Sequence, residues 1–145
     1  MNNGNSNGLI MGARILLALY FLLPGIAKFA APDQQLELMI HHGLPYAAVL
    51  LMIAGVANVG GALLLLFNRY VKLTSLGFVL YIVLINFFLH DFWNFEGIEA
   101  AHETQNFFKN LGILAGLLAL AGASPSRGLR LSGLAQSDAK ASSTE

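Results

Sequence analysis

No cysteine occurs in the 145 residues of this chain. Disulfides, thiolate metal sites and persulfide chemistry are therefore excluded on it. Charge is nearly as scarce. Only 11% of residues are Asp, Glu, Lys or Arg, against roughly 25% in soluble domains. Eight basic residues balance eight acidic ones, so the formal net charge is zero. Without a basic patch, nucleic acid is not an expected partner. No GxGxxG, P-loop or GxSxG motif occurs. The local signatures of dinucleotide, nucleoside-triphosphate and serine-hydrolase sites are thus missing.

In place of charge the chain has apolar length. Hydrophobic residues make up 56% of it, and the mean hydropathy is +0.63. A bilayer span needs about 20 such residues. Leu9 to Ala27 is apolar except for Arg14. Tyr46 to Phe67 carries no charge, and neither does Leu73 to Leu89, with Lys72 as its end anchor. Gln105 to Ala123 completes a fourth run if Lys109 is accepted. Four such runs leave too little polar sequence to coat a water-soluble domain. The expected fold is all-α: an integral membrane four-helix transmembrane bundle, with the lipid bilayer around it. A signal peptide competes for the first run, because Gly25-Ile26-Ala27 has small residues at cleavage spacing. The preceding MNNGNSNG holds no Lys or Arg. That favours an uncleaved helix kinked at Pro24.

Three segments follow. Residues 1–8 are Asn/Gly-rich and expected to be disordered. Residues 9–123 form one four-helix transmembrane domain, with helices near Leu9–Phe29, Pro45–Phe67, Tyr70–Trp93 and His102–Ala123. Residues 124–145 are small and polar, a tail expected to be mostly disordered. Leu36, Met39 and Ile40 have the spacing of a short amphipathic helix on the membrane surface. Gly112 and Gly116 form a GxxxG suited to close packing, and Ala57 and Gly61 offer the same on the second helix. Arg14, Arg69, Lys72, Arg127 and Arg130 fall on one side of an even-numbered bundle. By the positive-inside rule both termini are then cytoplasmic. His41, His42, His90 and His102 fall on the outer side.

The chemistry gathers at that outer end. On a helix turning about 100° per residue, place His102 at zero. Asn106 then falls near 40°, Lys109 near −20°, Glu103 near 100° and Asn110 near 80°, all within about a third of the circumference. An ionisable residue in a membrane span is costly and usually faces a bundle interior or watery cavity. An ion pair of Lys109 with Glu103 or Asp91 is therefore expected. A second stripe places Asn86, His90, Trp93 and Asn94 together, and Lys28 ends the first helix on its polar side. Asn58 is the one polar residue in the middle of the second helix. Plainer readings exist for several of these. Lys28 is a candidate for snorkelling, Trp93 for an interfacial anchor, and Asp91 for capping its helix. The histidines match no standard ligand spacing, so neither metal nor haem is expected.

Three short motifs carry a family resemblance: Gly25-x-x-Lys28-Phe29, His90-Asp91-Phe92-Trp93 and Phe108-Lys109-Asn110-Leu111-Gly112. In this order, over roughly Arg14 to Gly122, the sequence resembles the DoxX family of small four-helix bacterial membrane proteins. The resemblance implies a four-helix bundle in the bacterial inner (cytoplasmic) membrane. Its namesakes are small subunits of a thiosulfate:quinone oxidoreductase. Other members resemble partners of superoxide dismutase and a sulfurtransferase in oxidative-stress defence. Two functional readings follow. In the first, the chain is a quinone-linked redox component, with a quinone as candidate cofactor. Phe87, Phe88, Phe92, Trp93, Phe107 and Phe108 would wall the ring. His90 and Lys109 would donate to its carbonyls, with Asp91 and Glu103 setting their protonation. Lacking cysteine and a flavin motif, the chain would need a soluble redox partner or a bound cofactor. In the second, it is a non-enzymatic membrane scaffold whose polar cluster is structural. The candidate ligand-binding residues are Lys28, Asn86, His90, Asp91, Trp93, Glu103, Asn106, Lys109 and Asn110.

Overall fold

A computed structural model describes residues 3–141, and all regular structure among them is helical. Helix α1 spans Asn3–Ala30, α2 Asp33–His41, α3 Ala47–Leu66, α4 Val71–Leu89 and α5 Gly97–Gly122. A 3₁₀ turn, Phe92–Asn94, joins α4 to α5. The tail holds a second 3₁₀ turn, Leu131–Ala135, and a short α6, Asp138–Ala141. Three segments are long and apolar enough to cross a membrane: Asn7–Ala30, Ala47–Leu66 and Val71–Asn94. Helix α5 has the length, 26 residues, but Glu99, Glu103 and Lys109 lie within it.

Helix α2 lies where the Leu36, Met39 and Ile40 pattern predicts. Met39 is buried with Ala47 and Leu51 at the start of α3. Other boundaries move. Helix α1 begins at Asn3, inside the segment expected to lack structure; residues 1 and 2 lie outside the described residues. Asn and Gly are weak helix formers, but extending a nucleated helix needs only one hydrogen bond per residue. Helix α4 stops at Leu89 rather than running to Trp93, because His90 leaves helical geometry at φ −126°. Helix α5 starts at Gly97 rather than His102. Gly97 has φ +62°, a left-handed conformation open to glycine, and Glu99 complements the dipole of the first turn.

The tail departs most from expectation. It folds back onto the α3–α4 turn as far as residue 141; residues 142–145 lie outside the described residues. Asp138 accepts hydrogen bonds from the amides of Tyr70 at 3.0 Å and Val71 at 2.9 Å. These are among the donors that the first turn of α4 leaves unpaired. The α3–α4 turn supplies no side-chain cap of its own, and Asn68 and Tyr70 adopt left-handed backbone there. Arg127 bonds Asp138 at 2.7 Å and lies 4.8 Å over the Tyr70 ring. A cap supplied from 67 residues away leaves no trace in local spacing.

Helix α1 packs mainly on α3, and α4 on α5. The apolar core fills the half of the bundle nearest the tail. Phe21 and Phe78 stack there with ring centroids 3.7 Å apart, among Leu17, Leu65, Leu117 and Leu120. The close approaches occur at glycines, though not at the expected GxxxG. A Cβ on Gly112 would meet nothing within 4 Å, and one on Gly116 only Leu17 at 3.9 Å. Ala57 is exposed, while Gly61 makes room for the Phe78 ring. Gly25 faces backbone: a Cβ would lie 2.9 Å from Asn58 Cβ and 3.1 Å from the Val59 backbone nitrogen. A backbone atom cannot rotate away. Gly25→Ala is expected to destabilise the protein by about 1–3 kcal/mol, the usual cost of overpacking. Gly112→Ala should not. Thermal melts of both variants in detergent check the contrast.

Candidate functional site

The other half of the bundle is polar inside. Asn110 Nδ2 on α5 donates to Asn86 Oδ1 on α4 at 2.8 Å. Asn86 Nδ2 donates to the Phe107 carbonyl at 3.2 Å. Tyr20 on α1 donates to Asn110 Oδ1 at 3.2 Å. One hydrogen-bonded chain thus ties α1, α4 and α5 together. Beside it, His90 Nδ1 lies 2.6 Å from Glu103 Oε2, both side chains largely shielded. The carboxylate can only accept here, so Nδ1 carries a proton. The neutral ring then has its lone pair on Nε2.

Between the helices lies a cavity of about 560 Å³. Its aliphatic walls come from Leu16, Leu19 and Leu23 on α1 and Ile82 and Ile85 on α4. Its polar lining comes from Tyr20, Lys28, Asn58, Tyr81, His90 and Asn110. Two of these groups lack a full set of partners. Lys28 is 7% exposed, and its ammonium has only the Pro24 carbonyl, at 3.4 Å. Asn58 is 1% exposed. Its Nδ2 donates to Tyr81 at 3.2 Å, while its Oδ1 has no partner among the described residues. A buried amide oxygen without a donor and a buried cation without an anion both cost free energy. A molecule in this cavity that offers an acceptor to Lys28 and a donor to Asn58 would recover it.

A smaller cavity of about 440 Å³ adjoins the first. Tyr20, His90 and Asn110 border both, and Asn106, Lys109 and Ile113 complete it.

The structure sorts the residues that the sequence singles out. Lys28, His90 and Asn110 line the larger cavity, Asn106 and Lys109 the smaller. Asn86 and Glu103 stand behind them as hydrogen-bond partners. Asp91 is engaged elsewhere, with His42 Nδ1 at 2.8 Å and Asn94 Nδ2 at 2.6 Å. Trp93 packs edge-on against Phe92 and Phe107 and is half exposed. The aromatic residues Phe87, Phe92, Trp93, Phe107 and Phe108 pack on one another and do not line the cavity, whose aromatic lining is Tyr20, Phe21 and Tyr81. The expected ion pair of Lys109 is not formed. Glu103 is held by His90 and Asp91 by His42, and Lys109 is exposed. The α5 stripe therefore splits along its width. Glu103 and Asn110, at its far edge, are buried; His102 and Lys109, at the other, are exposed; Asn106 lies between.

Tyr20, Asn58 and Tyr81 are missing from the residues chosen by sequence. Asn58 had a signal, as the single polar residue in the middle of an apolar helix. The tyrosines had none, because an aromatic residue in an apolar run reads as core or lipid contact.

Comparison with known proteins agrees with this architecture. The family model described as DoxX matches residues 9–91. The inner membrane protein YphA of Escherichia coli (strain K12) is 27% identical over 113 residues, covering 78% of this chain and 81% of that protein. No solved structure matches.

Proposed function

Since the chain belongs to the DoxX family of integral membrane proteins, we propose that it binds a quinone headgroup in the larger cavity and serves as the quinone-linked component of a membrane redox assembly. One observation carries this reading: Lys28, buried with no carboxylate partner and only a long bond to the Pro24 carbonyl, shares a largely apolar cavity with His90 and with Asn58 Oδ1, which has no partner among the described residues. A planar headgroup with oxygens at opposite edges and an apolar tail fits that distribution. Lys28 offers a charge-assisted donor to one oxygen. Asn58 Oδ1 and His90 Nε2 offer acceptors to the hydroxyl groups of the reduced quinol. Glu103, 2.6 Å from Nδ1, fixes the orientation of the His90 ring. A bound quinone would supply two-electron, two-proton chemistry. With no cysteine, the chain needs an electron-transferring protein partner.

The proposed setting is a bacterial inner membrane, with α5 as the fourth span beside α1, α3 and α4. Arg69, Lys72, Arg127 and Arg130 sit at the tail end, and Asp91, Glu96, Glu99 and Glu103 at the opposite end. That asymmetry supports cytoplasmic termini. Single cysteines at Gln35 and Gly97 should react with an impermeant thiol reagent in whole cells, and one at Ser137 should not. Reversed labelling would overturn the orientation.

Organic extraction of the purified protein, read by mass spectrometry, should recover a bound quinone. Titration with a short-chain quinone should saturate. If extraction yields none and titration shows no saturable binding, the Tyr20–Asn110–Asn86 chain becomes a brace and the scaffold reading replaces this one.

A further inference from the structure

The geometry points to a second ligand site: the smaller cavity takes the phosphodiester of an anionic lipid headgroup. Lys109, Asn106 and His90 line it, from α5 and α4, with Tyr20 closing it from α1. Lys109 lies well inside α5. If α5 lies in the bilayer, that cation needs an anion or a route to water. The protein provides no anion. No Asp or Glu lines this cavity. The nearest acids on the same end are already taken, Glu103 by His90 and Asp91 by His42. Another donor stands beside it, the amide of Asn106. A phosphodiester brings charge and two acceptor oxygens to meet them. The volume, about 440 Å³, is within the ordinary range of ligand pockets.

The surroundings select a lipid over a free ion. Ile113 adds an apolar side chain to the lining, and on α5 the exposed Phe108 and Leu111 stand next to Lys109 and Asn110 in the chain. Acyl chains attached to the phosphate would cover these side chains. A free phosphate would leave them as they are. Lys109 snorkelling to water alone would give no preference among headgroups.

The test uses the full-length protein in detergent, with phosphatidylglycerol and phosphatidylcholine of matched acyl chains as probes. Native mass spectrometry reads retained lipid. Wild type should bind phosphatidylglycerol saturably and about tenfold or more tightly than phosphatidylcholine, whose choline cation offsets the phosphodiester charge that Lys109 would meet. Lys109→Gln should abolish that preference and Lys109→Arg should keep it. Asn106→Leu should reduce it, and gives a second reading if Lys109→Gln folds poorly. Lys72→Gln, at the other end of the bundle, should change nothing. Equal binding of the two lipids by wild type, or an undiminished preference in both Lys109→Gln and Asn106→Leu, overturns the site. Full displacement of phosphatidylglycerol by millimolar inorganic phosphate overturns the lipid assignment in favour of a free anion. None of these outcomes depends on quinone binding in the neighbouring cavity.

Discussion

Asp138→Ala should be the most destabilising single change outside the apolar core, at about 3–5 kcal/mol, the cost of removing one member of a buried ion pair. The carboxylate is 4% exposed and its partner Arg127 11%. Losing it strands that guanidinium and also leaves the Tyr70 and Val71 amides uncapped. Capping residues alone contribute about 0.5–2 kcal/mol. The double variant Arg127→Met/Asp138→Ala should be milder than the sum of the two single changes, because no charge is then left alone. Denaturation of all three variants in the same detergent gives the cycle. Simple additivity, or a loss below about 1 kcal/mol for Asp138→Ala, would show that the tail only rests on the bundle.

Lys28→Met should weaken short-chain quinone binding about tenfold or more, since a charged hydrogen bond is worth about 1.5–3 kcal/mol. Asn58→Leu should do the same by a different route. It removes the hydrogen bond that positions Tyr81 and puts a branched apolar side chain at the cavity wall. His90→Ala should weaken binding, and the double variant His90→Ala/Glu103→Gln, which leaves no carboxylate unpaired, separates that loss from any loss of stability. Lys72→Gln should leave affinity unchanged, since Lys72 lies at the opposite end, bonded to Ser126 at 2.8 Å. Isothermal titration or fluorescence quenching reads them all. Wild-type affinity in Lys28→Met, Asn58→Leu and His90→Ala together would remove the ligand from this cavity.

The identity of the end carrying the chemistry was legible from residue spacing. Lys28, Asn86, His90 and Glu103 cluster there because each sits at the same end of a helix that crosses the bundle, and helix direction alternates along the chain. Which acid meets which base was not legible. The 100° periodicity put Lys109 and Glu103 on one stripe, yet about 120° apart around α5, and that angle separates a buried side chain from an exposed one. His90 took the carboxylate instead, because α4 ends at Leu89 and turns the imidazole toward α5. The cavity was invisible for a related reason. Its lining comes from residues on four helices, and Tyr20 and Tyr81 carry no local mark of facing a void.

The sequence by itself determined the helical class, the apolar segments α1, α3 and α4, the surface helix α2 and the separation of basic from histidine-rich ends. These depend on composition and on periodicities of a few residues, which act within one element. Tertiary structure alone decided that Asp138 caps α4, that Gly25 and not Gly112 is the close contact, and that Lys28, with no carboxylate partner, shares one cavity with the unpartnered Asn58 Oδ1. Each of these depends on distances between side chains far apart in the chain, and such distances exist only once the helices have packed.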